Sequence, residues 1–405
     1  MRLKLSLLAL ALTAGIGLTL TGCGKDEAQH AASTATPAAT STVAPAPTAV
    51  PPPPQIKARS FILVDHESGR VLAALDPDSR QEPASLTKLM TAYGVFKALK
   101  EGRIKLTDMV TISEHAWRPA TKESLMFVEL GKPVSVENLI QGMIVQSGND
   151  ATVALAEKVG GTEATFVQMM NTYARQLGMT GTHFTNAAGM PDPEHYTTAR
   201  DTAVLASALI HEFPEYYKWY SQREFTWNGI TQQNRNGLLW RDPTVDGIKT
   251  GHTETAGYCL VTSAKRDGMR LVSVVLGTDS MRAREDASAA LLGYGFNFFE
   301  SKRIYAAGQP LTKVRVWKAR QDEVGLVLHR DLYVANQRGV VNSVKADFEL
   351  PGTIVAPLSA GKPLGKAKVV VDGKPVATYD LYPATDVAQA GFFGRAWDSV
   401  RLLFH

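Results

Sequence analysis

A serine and a lysine three positions apart could act as a nucleophile and its base. The S-x-x-K pattern occurs twice, as Ser85 with Lys88 and as Ser359 with Lys362. Ser359 lies in a stretch flanked by proline and glycine, where a spacing of three carries no meaning. Ser85 opens a strong helical pattern over 85–100, and side chains three apart share one face of a helical turn. We therefore take Ser85 as the candidate nucleophile and Lys88 as the amine that activates it.

Two further triplets could complete this chemistry. An ordinary lysine has a pKa of about 10.4 and is protonated, so a catalytic lysine needs burial or a neighbouring cation. Lys249-Thr250-Gly251 offers such a cation, which could also bind a carboxylate, and its glycine lets a substrate approach a strand edge. Ser147-Gly148-Asn149 offers a hydroxyl that could relay protons and an amide that could hold a substrate amide. Neither the H-E-x-x-H zinc motif nor a G-x-S-x-G nucleophile elbow occurs, so we predict serine chemistry without metal or cofactor.

The apolar pattern predicts strands at both ends of one folded region and helices between them. The predicted elements are a hairpin over 60–75, helices over 85–100, 136–148, 151–159, 163–177 and 198–211, strands over 258–263 and 269–276, and a helix over 282–299. This order predicts an α+β domain of roughly 250 residues, in which helices flank an antiparallel sheet.

The pattern changes after residue 305 to short alternating segments, which predict a small all-β domain. The segments are 314–317, 324–328, 332–334, 344–350 and 368–371. The last stretch, 391–405, places Phe392, Phe393 and Trp397 on one helical side and most charges elsewhere. This helix could pack on the β domain, but its terminal position and paired aromatics favour an amphipathic helix that lies in a membrane surface.

The first residues indicate export. Arg2 and Lys4 precede an uncharged apolar run over 5–20, as in a secretory signal, and the run is somewhat short for a spanning helix. It ends in Leu20-Thr21-Gly22-Cys23, which resembles a bacterial lipobox and predicts a lipid on Cys23, with ordinary cleavage further downstream as the alternative. The uncharged stretch over 28–55 is rich in Ala, Thr, Ser and Pro and predicts a semi-rigid spacer.

Charge and cysteine content exclude two further classes. The chain has 43 Lys plus Arg and 39 Asp plus Glu, a net charge of +4, which gives no electrostatic case for a nucleic-acid partner. Its two cysteines, Cys23 and Cys259, are too few for a disulfide framework. Cys259 stands in an apolar run, so we predict that it is a small core residue.

The order S-x-x-K, S-x-N, K-T-G within one predicted domain resembles that of the low-molecular-mass penicillin-binding D-alanyl-D-alanine carboxypeptidases. From about residue 59 to the C-terminus, including the Gly391-Phe392-Phe393-Gly394 entry to the last helix, the chain resembles the penicillin-binding protein 5 type. This implies a penicillin-binding/β-lactamase-like transpeptidase fold, followed by the β domain and the amphipathic helix. We expect a signal peptide at 1–22, a linker at 23–57, the catalytic domain at 58–304, the β domain at 305–383 and the helix at 384–405.

The resemblance also implies a reaction. Ser85 would attack the carbonyl between the last two D-alanines of a peptidoglycan stem pentapeptide, release D-alanine and form an acyl-enzyme that water hydrolyses. β-Lactams mimic this unit and would acylate the same serine. The implied roles are Lys88 as base, Ser147 as proton relay, Asn149 as holder of the acylated peptide, Lys249, Thr250 and Gly251 as carboxylate site, and backbone N–H groups of Ser85 and near His252 as oxyanion hole. Arg284 would assist with the carboxylate or, alternatively, would be a solvated charge at the start of a helix.

Sequence alone leaves three alternatives open. A class A β-lactamase shares the fold and nucleophile, but it has S-D-N where this chain has Ser147-Gly148-Asn149, and the surroundings of Glu194 do not resemble its deacylating loop. A non-catalytic wall-binding protein would not need three intact motifs. The sequence does not distinguish a carboxypeptidase from an endopeptidase that cuts cross-links. We expect an exported, periplasmic protein, peripheral on the outer face of the cytoplasmic membrane through its last helix and a Cys23 lipid.

Overall fold

The computed structural model describes residues 50–118, 124–340 and 343–403 and divides into two compact units. The first unit contains Pro51–Ala307 and Arg330–Arg338, and the second contains Gly308–His329 and the described residues from Gly339 onward. In chain order the strands are β1 (Ser60–Asp65), β2 (Val71–Leu75), β3 (Met109–Thr111), β4 (Pro133–Ser135), β5 (Glu224–Trp227), β6 (Ile230–Gln233), β7 (Val245–Thr253), β8 (Gly257–Arg266), β9 (Met269–Thr278), β10 (Phe299–Tyr305), β11 (Thr312–Arg315), β12 (Glu323–Val327), β13 (Leu332–Gln337), β14 (Val344–Glu349), β15 (Gly365–Val371) and β16 (Lys374–Pro383).

The α-helices lie mainly between the early and the late strands of the first unit. They are α1 (Lys88–Lys100), α2 (Glu114–Trp117), α3 (Val136–Val145), α4 (Asn149–Gly160), α5 (Glu163–Gln176), α6 (Ala199–Glu212), α7 (Pro214–Tyr217), α8 (Leu238–Arg241), α9 (Met281–Phe298) and, in the second unit, α10 (Phe392–Leu402). Two 3₁₀ helices cover Ala84–Thr87 and Lys218–Ser221. The predicted order of strands, helices and strands is confirmed.

The central sheet of the first unit has five antiparallel strands in the order β2-β1-β9-β8-β7. Every residue of β1 is buried, because this strand lies between two neighbours, and its sequence is accordingly almost uninterruptedly apolar. β8 and β9 join through Asp267 and Gly268, both with positive φ, as a tight two-residue hairpin turn requires. This short turn lets both strands run further than the sequence pattern predicts. β7, at the sheet edge, carries Lys249-Thr250-Gly251.

Helix α1 runs through the core of the first unit, and nearly all of its residues are buried. A Cβ at Gly94 would lie 2.9 Å from the ring of Phe166, so glycine here allows α5 to pack closely against α1. Helix α3 ends at Val145, earlier than the predicted 148, because Ser147 has a φ of +62°, which a right-handed helix cannot contain. Helix α4 then starts afresh at Asn149.

The second unit is built on an antiparallel sheet in the order β11-β12-β16-β15-β14, which confirms the predicted all-β region. The segment 332–334 was predicted to belong to it. In the structure this segment forms β13, which pairs with β10 instead of with the strands of this sheet and groups with the first unit. Alternating side chains identify a strand, but they do not identify its partner.

The short terminal helix α10 belongs to the second unit and has no buried residue. Its aromatic side chains Phe392, Phe393 and Trp397 are 72%, 86% and 66% exposed. Asp398 accepts a hydrogen bond from the backbone N–H of Lys318 at 2.6 Å, which connects the helix to the β region. None of the helices in the described part of the chain has the length and apolarity that crossing a membrane requires.

Candidate active site

Ser85 and Lys88 lie where the 3₁₀ helix Ala84–Thr87 runs into α1. The predicted α-helical turn is thus a 3₁₀ turn, in which residues three apart eclipse one another. Lys88 Nζ donates to Ser85 Oγ at 3.1 Å and to the carbonyl oxygen of Ala188 at 2.7 Å. Lys88 is 1% exposed, whereas Ser85 is only partly covered. The amine is therefore shielded from water, while the hydroxyl it contacts is accessible.

The segment between α5 and α6 holds this turn in place. Thr91 Oγ1 donates to the carbonyl oxygen of Ala187 at 2.7 Å, one residue before the carbonyl that binds Lys88. Gly189 has a φ of +90°, and a Cβ there would overlap the carbonyl oxygen of Ala84. This close backbone contact explains why glycine is needed beside the nucleophile.

A buried histidine from the same segment also contacts the turn. His195 Nδ1 accepts from the backbone N–H of Thr185 at 2.9 Å, so Nε2 carries the proton and donates to Thr87 Oγ1 at 2.8 Å. Burial lowers the pKa of His195 to about 4. At neutral pH this side chain is therefore an uncharged structural donor.

Ser147 and Asn149 project from the turn between α3 and α4. Ser147 is 2% exposed, and its Oγ has no hydrogen-bond partner among the described residues. A buried hydroxyl normally has such a partner, so this one is available to a reacting group. The backbone N–H of Asn149 donates to the carbonyl of Ser124 at 2.8 Å, and its Nδ2 lies 3.8 Å from Met190 Sδ.

Asp150, which follows the S-x-N motif directly, anchors the backbone beside the site. Its carboxylate, 2% exposed, accepts from the N–H groups of Met126 at 2.8 Å and Val128 at 3.1 Å. It also accepts from Ala151 at 2.8 Å. The sequence analysis did not select Asp150, although a carboxylate next to a catalytic triplet at a helix start was a usable signal.

Lys249 and Thr250 reach the site from edge strand β7. A Cβ at Gly251 would lie 3.0 Å from the carbonyl oxygen of Pro83 and 3.2 Å from Leu86 Cγ, so glycine lets the strand approach the turn that carries Ser85. Lys249 is 3% exposed, and its Nζ donates to the carbonyl of Thr250 at 3.0 Å. Burial holds the pKa of Lys249 well below its ordinary value, and the charge of Lys88 adds to this. The predicted proximity of the two lysines is present in the structure.

Arg284 is not the solvated charge that one interpretation of the sequence allowed. Although it lies in the first turn of α9, it is only 3% exposed, and burial lowers its pKa. Nη1 donates to the carbonyl of Gly251 at 3.3 Å, and Nη2 donates to the carbonyl of Arg235 at 3.4 Å. The guanidinium is thereby fixed beside the K-T-G strand.

His252 follows the triplet on β7 and is exposed. Its ring stacks on Tyr258 with 3.9 Å between centroids, and Nδ1 donates to the carbonyl of Gly257 at 3.1 Å. The side chain is thus held against the neighbouring strand β8, which leaves the backbone of residue 252 at the mouth of the site.

Residues of all three motifs border one cleft of about 480 Å³. Its lining comprises Ser85, Ser124, Ser147, Asn149, Ala188, Gly189, Met190, Pro191, Arg235, Thr250, Gly251, His252, Thr253, Tyr258, Met281 and Arg284. Lys88 and Lys249 lie buried just behind it, and none of the described lining residues is an aspartate or glutamate. The described lining is therefore positively charged through Arg235 and Arg284, which suits the binding of a carboxylate.

Several lining residues were missed at the level of sequence, above all Arg235 and Met190, which stand in no recognisable motif. Glu194, the carboxylate weighed for a β-lactamase, is exposed and does not line the cleft. No group of side chains in the described ranges is arranged to hold a metal ion. Cys23 lies outside the described residues, and Cys259 is fully buried, with its pKa raised to about 11 by that burial.

Comparison with known proteins agrees with this geometry. Residues 46–280 match the family model described as D-alanyl-D-alanine carboxypeptidase, and residues 299–389 match the model of the penicillin-binding protein 5 C-terminal domain. The chain belongs to the D-alanyl-D-alanine carboxypeptidase family of the penicillin-binding protein 5 type. The D-alanyl-D-alanine carboxypeptidase DacA of Haemophilus influenzae is 47% identical over 349 residues, which cover 85% of this chain and 89% of the relative. DacA of Escherichia coli strain K12 is 42% identical over 358 residues, 87% of this chain and 89% of the relative.

Solved structures extend the similarity to the carboxypeptidase fold and to antibiotic complexes. The crystal structure of penicillin-binding protein 5 from Haemophilus influenzae is similar with a TM-score of 0.74 and 46% identity, covering 83% of this chain and 99% of that one. Penicillin-binding protein D2 from Listeria monocytogenes in its ampicillin-bound form has a TM-score of 0.56 and 30% identity, covering 60% of this chain and 100% of that one.

Proposed function

We propose that this carboxypeptidase removes the terminal D-alanine from peptidoglycan stem pentapeptides, with Ser85 as its nucleophile. The 3.1 Å contact between Lys88 Nζ and Ser85 Oγ, beside a cleft whose described lining contains two arginines and no carboxylate, supports the proposal. Lys88 in its neutral form takes the hydroxyl proton as Ser85 attacks the carbonyl carbon. The distance is within the range in which a positioned base transfers a proton directly.

Ser147 completes the proton path. Its buried hydroxyl has no partner among the described residues and borders the same cleft, so it can pass a proton to the amine of the departing D-alanine. The scissile C–N bond then breaks, and the peptide remains as an ester on Ser85. Asn149 holds the amide of this acyl group. Water attacks the ester in the second half of the reaction and regenerates the hydroxyl.

The terminal carboxylate of the substrate meets the positive end of the cleft. Thr250 donates its hydroxyl to the carboxylate, and Lys249 and Arg284 supply charge from behind and beside the strand. Gly251 lets the substrate approach the edge of β7. The oxyanion of the tetrahedral intermediate accepts from the backbone N–H of Ser85 and from one near His252 on the strand edge, an arrangement that contributes the largest single share of stabilisation in many acyl transfers.

β-Lactams acylate Ser85 in the same way, as their similarity to D-Ala-D-Ala implies. The exposed position of Glu194 outside the cleft supports slow release of the adduct rather than antibiotic hydrolysis, because the described cleft lining offers no carboxylate base to activate the second water.

The test of this function combines two assays on the purified full-length protein. Mass spectrometry after brief exposure to penicillin is expected to show one adduct on Ser85, and a pentapeptide is expected to release D-alanine. The Ser85→Ala variant is expected to do neither while it keeps the wild-type thermal transition, since one partly exposed serine contributes little to stability. Rapid antibiotic turnover without an adduct would instead support a β-lactamase, and neither adduct nor turnover would support a non-catalytic protein.

The proposal includes where the protein works. We propose export by the signal at 1–22, a spacer at 23–57, and a periplasmic position on the outer face of the cytoplasmic membrane. The exposed Phe392, Phe393 and Trp397 of α10 support insertion of this helix into a membrane surface. A lipid on Cys23 would provide the second attachment, since one weak signal binds reversibly and two bind firmly.

Cell fractionation of four proteins tests this attachment: wild type, Cys23→Ala, a deletion of 391–405, and the combination. Each single change is expected to leave part of the protein on the membrane, and the combination is expected to release it. Full membrane retention of the combined variant contradicts the two-signal hypothesis.

A further inference from the structure

An exposed aromatic side chain lies near the rim of the catalytic cleft, in the segment that follows Ser124. Ser124 lines the cleft, and its carbonyl accepts from the backbone N–H of Asn149 at 2.8 Å. Three residues later, Phe127 is 45% exposed. A chain extends by at most about 3.5 Å per residue, so the Cα atoms of Ser124 and Phe127 lie within about 11 Å of each other. Phe127 is therefore a near neighbour of the cleft.

The backbone around Phe127 is fixed in a conformation that displays its ring. The N–H groups of Met126 and Val128 both donate to the buried carboxylate of Asp150. These two flanking side chains are buried, whereas Phe127 has a φ of +67°, which is unfavourable for a residue other than glycine. A strained backbone persists only where the surrounding contacts impose it, and such positions cluster at functional sites. Here the strain holds an aromatic ring in water.

The hairpin β5–β6 packs against this segment and supplies polar groups. Asn228 Nδ2 donates to the carbonyl of Phe127 at 3.3 Å and to Glu129 Oε1 at 3.1 Å. Gln232 Nε2 donates to the carbonyl of Leu125 at 3.1 Å. A carbonyl oxygen only accepts, so both amide nitrogens must face the segment. The two amide oxygens are thereby left for a further donor.

Four residues of this region, Phe127, Asn228, Ile230 and Gln232, are called the rim patch below. Ile230 is 42% exposed, so the patch offers two exposed apolar side chains beside two amides. None of its four side chains is charged. It therefore does not suit an anionic membrane surface, which attracts lysine and arginine. It suits a neutral ligand that has both apolar surface and hydrogen-bonding groups.

A glycan strand of N-acetylated sugars has this chemistry. One face of a pyranose ring consists of C–H bonds, which pack against the negative face of an aromatic ring, and its hydroxyl and acetamide groups bond with amides. The stem pentapeptide is attached to such a strand, with three residues between the sugar and the two terminal D-alanines. Three residues span at most about 11 Å, which matches the separation of Ser124 and Phe127. A sugar carried by a peptide in the cleft can therefore reach the patch.

We propose that the rim patch binds the glycan strand that carries the stem peptide, with a sugar ring stacked on Phe127. The inference rests on the proposed function, because it takes the peptide in the cleft as the tether of the glycan. It adds a contact that the three catalytic motifs do not encode. Through this contact the enzyme distinguishes a peptide borne on a glycan from a free peptide.

Two soluble substrates with the same pentapeptide test the proposal. One carries an N-acetyl group, and the other carries the disaccharide of N-acetylglucosamine and N-acetylmuramic acid, whose carboxyl is consumed in the link. The full-length protein is expected to release D-alanine from the disaccharide substrate with a kcat/KM about two- to tenfold higher, the range expected for one aromatic contact. The gain should lie in KM, because the patch touches no reacting atom. Salt should not change it, because the added sugars and the patch are uncharged.

Three variants locate the contact. Phe127→Ala is expected to abolish the difference between the two substrates, whereas Phe127→Trp, which keeps an aromatic face, is expected to preserve it. Trp240→Ala is the matched control, because Trp240 on α8 is an aromatic residue of similar exposure, 44%, outside the patch and the cleft lining. This control is expected to leave the difference unchanged. The acetylated peptide reports basal activity, which all three variants retain.

Equal kcat/KM values for the two substrates in the wild-type protein overturn this inference alone and favour a protein partner as the occupant of the patch. A gain that persists in Phe127→Ala, or that Trp240→Ala abolishes equally, also overturns it, because the discrimination then does not arise at Phe127. Absence of D-alanine release from both substrates would refute the proposed function, and this inference with it.

Discussion

The contact between Gly189 and the turn of the nucleophile gives a sharp prediction. Gly189→Ala adds a methyl group that overlaps the carbonyl oxygen of Ala84 and lies 2.9 Å from Thr87 Oγ1. Gly178→Ala is the matched control. Its φ of +76° resembles the +90° of Gly189, but an added Cβ meets no atom within 4 Å. Both variants thus share the backbone strain, and only one has the collision.

Two costs set the expected loss in the free energy of unfolding. A residue other than glycine in the left-handed region costs about 1–2 kcal/mol, and this cost applies to both variants. Overpacking of a tight interior contact costs about 1–3 kcal/mol more, so Gly189→Ala should melt roughly 2–12 °C below the control. Relief of the overlap requires the segment around Gly189 and the backbone at Ala84 to separate by about 1 Å, a displacement that reduces catalysis roughly 100-fold.

The assay is the rate of acylation by a fluorescent penicillin, measured well below both melting temperatures. Gly178→Ala is expected to acylate like the wild type. Gly189→Ala is expected to be about 100-fold slower. Equal acylation rates for the two variants would refute the reasoning, since the segment between α5 and α6 would then not position the nucleophile.

Three other perturbations have defined outcomes. Ser147→Ala should reduce the acylation rate by about 10²- to 10⁴-fold, as measured by stopped flow. The melting temperature should change little, since Ser147 Oγ has no partner among the described residues. Loss of stability without loss of acylation rate would contradict the role of Ser147 as proton relay. Arg284→Gln should reduce kcat/KM for peptides with a free terminal carboxylate more than for the corresponding amides, and an equal reduction for both would exclude a role in carboxylate binding. His195 has a pKa lowered to about 4, so the unfolded chain takes up a proton first as the pH falls below about 6.5, and the free energy of unfolding should decrease by roughly 3 kcal/mol on acidification to pH 4. His195→Gln should weaken the dependence of the free energy of unfolding on pH, measured by denaturant titrations at several pH values. An unchanged dependence would contradict this role of His195.

Much of the fold could be predicted because burial leaves a clear periodic pattern. The apolar β1 and the long amphipathic helices were identified as such, and the strand–helix–strand order indicated an antiparallel sheet. Strand pairing was harder. β13 has the alternation of a β-domain strand, but its partner β10 lies on the other side of the predicted domain boundary, and nothing in the local sequence records that contact.

The candidate site divides in a similar way. The motif residues could be found because their spacing is itself a chemical signal, and the structure brings them around one cleft. Arg235 and Gly189 could not be found, because their importance comes from packing against residues far away in the chain. The burial of Arg284 was equally invisible, since a charged residue in the first turn of a helix usually faces water.

The return of β13 to the first unit bears on how the protein can be divided. The chain enters the second unit after Ala307, comes back at Arg330–Arg338 and leaves again, so no single cut in the sequence separates the two units. A protein shortened at residue 304 would lose the partner of β10 and expose unpaired backbone groups, a surface prone to self-association. A protein ending after Arg338 would retain this pairing. Conversely, a protease that nicks the chain near Gly308 would leave both fragments joined through the β10–β13 hydrogen bonds, and the nicked protein would separate only on denaturation.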